Sequence, residues 1–394
     1  MNHKQPLGIY VHIPFCVRKC LYCDFLSFPA GEVCPEKREA PVLRAYVDAL
    51  LQEIENIPNL VDITSNHEIQ TIFIGGGTPS LLNEIYISDI LCKLKAHFLI
   101  SQSAEITIEA NPGTLTMSKL HAYRSAGINR LSIGLQSTDN NELKQLGRIH
   151  TYEEFLESYH MAREAGFDNL NIDLMTALPG QNQDDLCRTL ERVIELNPEH
   201  ISAYSLILEE GTPFAKLYNE DNLPSEEEDR EMYAMTGRML SAAGYHRYEI
   251  SNYARPGYES RHNMSYWKRI PYLGLGLGAA SFFENTRWKN EEDLDVYIRK
   301  WQSGISPERY EEQVLTTQMQ MEEYMFLGLR MTEGISMSAF AETFGRSLEA
   351  VYGKALDTLE REALIERTRI GQEEHIRLTQ RGVDLSNYVF TFFL

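Results

Sequence analysis

The chain has little cysteine, a deficit of positive charge and no long apolar run. Lys and Arg total 37 against 57 Asp and Glu, a formal net charge of −20 over 394 residues. That deficit argues against a winged-helix nucleic-acid binder, because tracking phosphates needs a clustered positive face. No apolar stretch approaches the roughly 20 residues of a membrane span. The opening "MNHKQPLG" has no apolar segment of a secretion signal, so the sequon at Asn263-Met264-Ser265 carries no weight. There is no low-complexity tract and no solenoid repeat. These absences point to a reducing cytoplasm, where clustered cysteines serve metals or redox chemistry more often than structural disulfides.

Six cysteines are present, and three of them, Cys16, Cys20 and Cys23, stand together in "CVRKCLYC". Their spacing is C-x3-C-x2-C. Thiolates are soft ligands that suit zinc or iron–sulfur. A structural zinc site wants a fourth ligand, usually from a second C-x2-C, and no second pair exists. Three ligands on a loop suit a [4Fe–4S] cluster with one iron left open. Cys34, Cys92 and Cys187 are dispersed and read as ordinary small residues.

From residue 6 to about 207, short apolar runs alternate with amphipathic stretches. The strand candidates are 7–13, 70–74, 105–109, 130–135, 169–174 and 200–206. Helices are expected at 82–97, 117–126, 152–165 and 183–196. "SAGI" and "EAGF" place Gly127 and Gly166 where helices end. Strict alternation implies a parallel sheet with right-handed crossovers, and six units suit a barrel or a partial (β/α)6 barrel. The unusual residues all follow strands: the cysteines the first, "GGGTP" (75–79) the second, Glu109 closing the third, Gln136 after the fourth, Asp173 near the end of the fifth. In α/β barrels that rim is the active face. Glycines there let backbone approach a ligand, although a turn alone would also explain them. Glu109, Gln136, Arg148 and Asp173 together describe a pocket for a zwitterionic, ribose-bearing ligand, whereas each alone reads as a salt-bridge partner.

The sequence divides into a barrel at 1–240, a linking region at 241–309 and a C-terminal domain from 310 to 394. A helix is expected over 225–243. The linking region holds "HNMSYW" (262–267) and a Gly-rich "PYLGLGLGAASFF", which suggests tight packing. From 310 the chain reads as helical, with a strand pair and a last helix in "HIRLTQRGVDLSNYVFTFFL", as in a winged-helix-like α+β domain.

"CVRKCLYC", "GGGTP", "EANP", "GLQS", "LGRIH" and "IDLMTALPGQ", in that order, resemble the radical S-adenosylmethionine superfamily. The resemblance covers nearly the whole chain. Within the superfamily it is to the oxygen-independent coproporphyrinogen III oxidases and the HemW-type heme chaperones. The resemblance implies that Cys16, Cys20 and Cys23 hold a [4Fe–4S] cluster whose fourth iron is chelated by S-adenosylmethionine. It implies that Tyr10, Gly76, Glu109, Gln136, Arg148 and Asp173 line that cofactor's site. Tyr22, Gly77 and Thr78 match residues around a second such site in the oxidases.

Three features bear on the branch. The oxidases resemble C-x3-C-x2-C-x-C, and this chain has Phe25 at the last position. The oxidases carry a long N-terminal arm, and nine residues precede Tyr10 here. "HNMSYW" resembles the H-N-x-x-Y-W motif of the chaperone type, which implies His262, Asn263, Tyr266 and Trp267 as heme contacts. Imidazole can ligate heme iron and the aromatic rings can stack on a macrocycle, but an aromatic packing cluster with a satisfied histidine has the same composition. The expectation is therefore a heme chaperone, with heme as cargo, respiratory proteins as acceptors, an electron donor for the cluster and peripheral contact with a membrane. The runner-up is an oxidase of heme biosynthesis, so whether the chain is an enzyme stays open.

Overall fold

A computed structural model describes residues 4–30, 41–61, 63, 66–306 and 308–394; Cys34 lies outside them. Six parallel strands run side by side in chain order: β1 (Gln5–Ile13), β2 (His67–Gly76), β3 (Ile100–Ala110), β4 (Arg130–Gln136), β5 (Leu170–Thr176) and β6 (His200–Ser205). Helices Pro41–Leu60, Glu84–His97, Met117–Ala126, Tyr152–Glu164 and Gln183–Glu195 connect them. The fold is an α/β partial barrel, as the alternation of runs requires.

Local chemistry sets the helix ends. Thr151 and Glu154 form a reciprocal capping box, as do Asn182 and Asp185, which satisfies otherwise orphaned N–H groups. Gly127 closes its helix at φ 102°, a left-handed conformation that glycine adopts at little cost.

The strands alternate with period two. In "RLSIGLQ", Leu131, Ile133 and Leu135 are buried with the helix residues Leu50, Ile87, Leu120, Phe155 and Leu190 in one core. The intervening Arg130, Ser132, Gly134 and Gln136 therefore face the barrel interior. Ile172 and Leu174 pack outward in the same way, which turns Asn171 and Asp173 inward. Each fully buried Leu or Ile is worth roughly 1.5–3 kcal/mol. The outer face thus holds the fold, and the inner face is left for polar chemistry.

The sheet continues beyond the barrel at both edges. Beside β6 lie β7 (His246–Arg247) and β8 (Asn252–Ala254); beside β1 lies β9 (Tyr272–Leu275), followed by β10 (Ala280–Phe283), β11 (Thr286–Lys289) and β12 (Tyr310–Val314). The stretch from 310 expected to be helical therefore opens with a strand. All five residues of β12 are exposed, so no period-two burial pattern marks it, and pairing with β11 supplies the strand.

A short helix, Arg261–Trp267, closes the barrel at the amino ends of the strands, opposite the cysteines. The Glu105 carboxylate accepts the backbone N–H groups of Arg261 and His262, both at 3.0 Å.

The C-terminal region has its own core, built from Met325, Phe340, Leu348, Leu356, Leu359, Ile376 and Phe393. Helices Thr317–Gly328, Met337–Phe344 and Leu348–Arg361 precede an antiparallel ribbon of Ile365–Ile370 and Glu373–Leu378. The ribbon starts earlier than the sequence suggested, because its turn is at Gly371 (φ 62°), inside a charged stretch that hides the strands.

Candidate cofactor site

The carboxyl ends of the strands surround a cavity of about 340 Å³. Its walls include Cys16, Cys20 and Cys23 with Gly76, Glu109, Gln136, Arg148 and Asp173. Tyr22, Gly77 and Thr78 line the same space. The cavity also draws on Arg18, Asn111, Ser132, Gly134, Met175 and Tyr204. Period-two alternation along β4 and β5 could have found Ser132, Gly134 and Met175; nothing in the sequence singles out Tyr204.

The "GGGTP" turn is fastened to the cysteine loop. Gly77 N–H donates to the Ile13 carbonyl at 2.8 Å, and Thr78 N–H to the Phe15 carbonyl at 2.7 Å. A Cβ at Gly77 would stand 2.8 Å from the Phe15 oxygen, so close backbone approach requires glycine here. Thr78 Oγ1 donates to Cys16 Sγ at 3.5 Å and accepts from Asn111 Nδ2 at 2.8 Å. Gly76 adopts φ 113° and its N–H donates to Glu109 Oε2 at 3.0 Å.

Arg148 ties the far wall to the loop. Its Nη2 donates to Asn111 Oδ1 at 2.8 Å and to the Gly134 carbonyl at 2.6 Å, and its Nη1 to Cys20 Sγ at 3.5 Å. Gln136, a residue with a side chain, is held at φ 75°; such strain persists where surrounding structure enforces it. Asp173 accepts from Ser132 Oγ at 3.0 Å and Asn171 Nδ2 at 2.8 Å. Burial first, and then the nearby Asp173 charge, push the Glu109 carboxyl up to about 8. Asp173 is also raised, chiefly by burial. Two carboxyl groups thus wait in one cavity for a cationic or hydroxyl-bearing ligand.

The donor set fits an iron–sulfur cluster. All three cysteines are free thiols. Burial raises Cys16, and pushes Cys23 up to about 11, so loading metal must displace protons. Among the described residues no three His, Cys, Asp or Glu side chains converge tightly enough to hold one metal ion. Thiols spread around a cavity suit a polynuclear cluster, in which each takes a different iron. Phe25 stands at the mouth, 64% exposed.

Five of the expected residues lie elsewhere. Tyr10 sits within the barrel, its hydroxyl 2.9 Å from His12 Nδ1 and its ring stacked on Phe73. Phe73 in turn stacks on His262, with centroids 5.2 Å apart. His262 is buried, with 1% exposure. Its Nδ1 is 2.8 Å from Thr71 Oγ1 and its Nε2 is 2.8 Å from Tyr266 Oη. Both ring nitrogens are engaged, so this arrangement offers no lone pair to a heme iron. Tyr266 packs edge-on against His262 and Tyr272. Asn263 N–H donates to the capping Ser260 hydroxyl at 3.4 Å, and Trp267 lies against Arg330. The "HNMSYW" segment is the barrel's plug, at the opposite end from the cysteines.

A hydrogen-bonded chain links the two ends. From Asp173 it passes through Asn171 to His200 Nδ1 at 2.6 Å, then from His200 Nε2 to Tyr248 Oη at 2.8 Å. Tyr248 Oη accepts from Ser260 N–H at 3.2 Å, at the start of the plug helix.

Comparison with known proteins agrees with this fold. Residues 10–193 match the radical SAM superfamily model and residues 315–385 the HemN C-terminal domain model. A relative from Bacillus subtilis (strain 168), named heme chaperone HemW, is 38% identical over 98% of this chain and 98% of its own. One of the same name from Escherichia coli (strain K12) is 41% identical over 71% of each chain. The solved structure described as "Coproporphyrinogen III oxidase (HemN) from Escherichia coli is a Radical SAM enzyme" superposes with a TM-score of 0.81 at 26% identity, covering 99% of this chain and 90% of that one. The chain belongs to the radical S-adenosylmethionine superfamily, a family that implies a [4Fe–4S] cluster and S-adenosylmethionine, and within it to the HemW-type relatives of the coproporphyrinogen III oxidases.

Proposed function

We propose that this chain is a heme chaperone, which binds heme and passes it to acceptor proteins such as respiratory enzymes. Cys16, Cys20 and Cys23 would hold the cluster. Gly76, Glu109, Gln136, Arg148 and Asp173 would hold S-adenosylmethionine beside it. The observation that carries the cofactor half is the convergence of these residues in one cavity. The heme half is supported by the full-length likeness to proteins named heme chaperones. When bound, the cluster supplies an electron and the cofactor a cleavable sulfonium. The protein's own part is positional: Arg148 and Asn111 brace the loop against β4, and Glu109 and Asp173 present carboxylates to the ligand's ammonium and ribose hydroxyls.

Heme contact through His262, Asn263, Tyr266 and Trp267 would require the plug helix to move, since His262 is fully bonded within the barrel. Among the described residues no helix is long and apolar enough to cross a membrane, so a membrane acceptor would be met from the surface. In the proposed function the electron donor is a separate protein.

A second reading is favoured by the 0.81 superposition on the oxidase and by Tyr22, Gly77 and Thr78 lining the same cavity, where a second cofactor would bind. Anaerobic reconstitution followed by parallel assays separates the two. The chaperone reading expects a saturable heme absorbance change and no conversion of coproporphyrinogen III. Steady conversion to protoporphyrinogen IX would overturn it in favour of the oxidase.

A further inference from the structure

A second cavity, of about 220 Å³, lies at the seam between the barrel sheet and the C-terminal domain. A β-bridge from Glu249 to Met331 and a hydrogen bond from Thr332 N–H to the Tyr248 carbonyl at 3.0 Å hold that seam. Arg247 and Glu249 line it from one side, and Arg330 and Arg377 from the other.

The charges in this cavity do not balance. Arg377 is paired with Glu366 at 2.7 Å. Arg247 donates to the Tyr233 hydroxyl at 2.6 Å and lies over that ring. Arg330 is clasped between the rings of Trp267 and Phe390, each 5.3 Å from its guanidinium carbon. Its Nε–H is buried without an acceptor, as is the neighbouring Trp267 indole N–H. Among the described residues neither Arg247 nor Arg330 has a carboxylate within ion-pair reach. Glu249, which the Ser251 N–H engages at 3.1 Å, leaves the two cations one positive charge in excess. Partly buried guanidinium donors without acceptors cost free energy, and the planar fork of arginine matches a carboxylate or phosphate.

We propose that this cavity binds a small oxyanion, a carboxylate or a phosphate, between Arg330 and Arg247, and so ties the C-terminal domain to the barrel. Its volume admits an ion or short acid. The stacking of Arg330 on Trp267 makes the site adjacent to the plug helix.

The test is calorimetric titration of the full-length protein with inorganic phosphate and, separately, with succinate, using chloride at matched ionic strength as control. Saturable binding at one site is expected for at least one of the two, and which one binds identifies the class. Arg330→Gln should weaken it at least about tenfold, with part of the affinity regained in Arg330→Lys. Arg247→Gln should weaken it in the same direction and decides the matter if Arg330→Gln does not fold. The proposal is overturned if neither anion binds saturably, if chloride reproduces the effect, or if both glutamine variants bind as the parent does.

Discussion

The two mouths of the barrel are made of the same kinds of residue and are finished differently. At the carboxyl mouth, Glu109 and Asp173 face a cavity, three thiols are unpaired and Gln136 is held in a strained conformation. At the amino mouth, His262, Tyr266 and Glu105 bond one another, Thr71 and the plug helix backbone. A site has polar groups left over for a ligand, whereas at the plug the His262 ring and the Glu105 carboxylate have theirs completed by the protein. The same contrast sets energetics. Completed hydrogen bonds stabilise the fold, and incomplete ones await a partner's binding energy.

If that contrast holds, substitutions at the carboxyl mouth will change cofactor content with little change in stability, and those at the amino mouth will do the reverse. The largest effect is expected from Cys20→Ser: anaerobically reconstituted protein should lose the brown cluster absorbance while melting near the parent temperature. An intact cluster there would refute the ligand assignment. Gly77→Ala should come next, because its Cβ meets the Phe15 carbonyl at 2.8 Å and must displace the cysteine loop; iron analysis should show severalfold lower cluster incorporation. Glu109→Gln should leave the cluster in place and weaken S-adenosylmethionine by about 10–100-fold in equilibrium binding, the range for losing a hydrogen bond to a charged group. Unchanged affinity would remove Glu109 from the site.

His262→Gln addresses the other mouth. It should cost about 2–4 kcal/mol in denaturant unfolding and leave cluster absorbance unchanged; loss of the cluster would break the contrast. This residue also carries a pH signature. Burial, with Arg130 second, pulls the His262 imidazole from the ordinary 6.5 down to about 3. Below 6.5 the unfolded chain takes up a proton that the folded chain refuses. The stability His262 contributes is therefore complete above 6.5 and is lost progressively as pH falls toward 3. In His262→Gln, which cannot be protonated in that range, this slope should flatten.

Much of the barrel is legible in the residues because its periodicities are local. The strand expected at 130–135 and the helix expected at 117–126 are found at Arg130–Gln136 and Met117–Ala126, each fixed by its own apolar pattern and caps. The edge strand at Tyr310–Val314 is illegible because it buries nothing. Its existence depends on pairing with the strand Thr286–Lys289, across an intervening helix.

The sequence by itself determined the cysteine loop, the glycine turn and the carboxylates at strand ends, since a parallel barrel brings successive carboxyl ends to one rim whatever the side chains are. Motif likeness could not place His262. Whether a histidine opens to a ligand or completes a plug depends on which atoms meet its two nitrogens, and Thr71 lies 191 positions away in the chain. The seam cavity is likewise tertiary, because Arg247, Arg330 and Trp267 belong to no common motif and only packing leaves the Arg330 Nε–H and the Trp267 indole N–H without a partner.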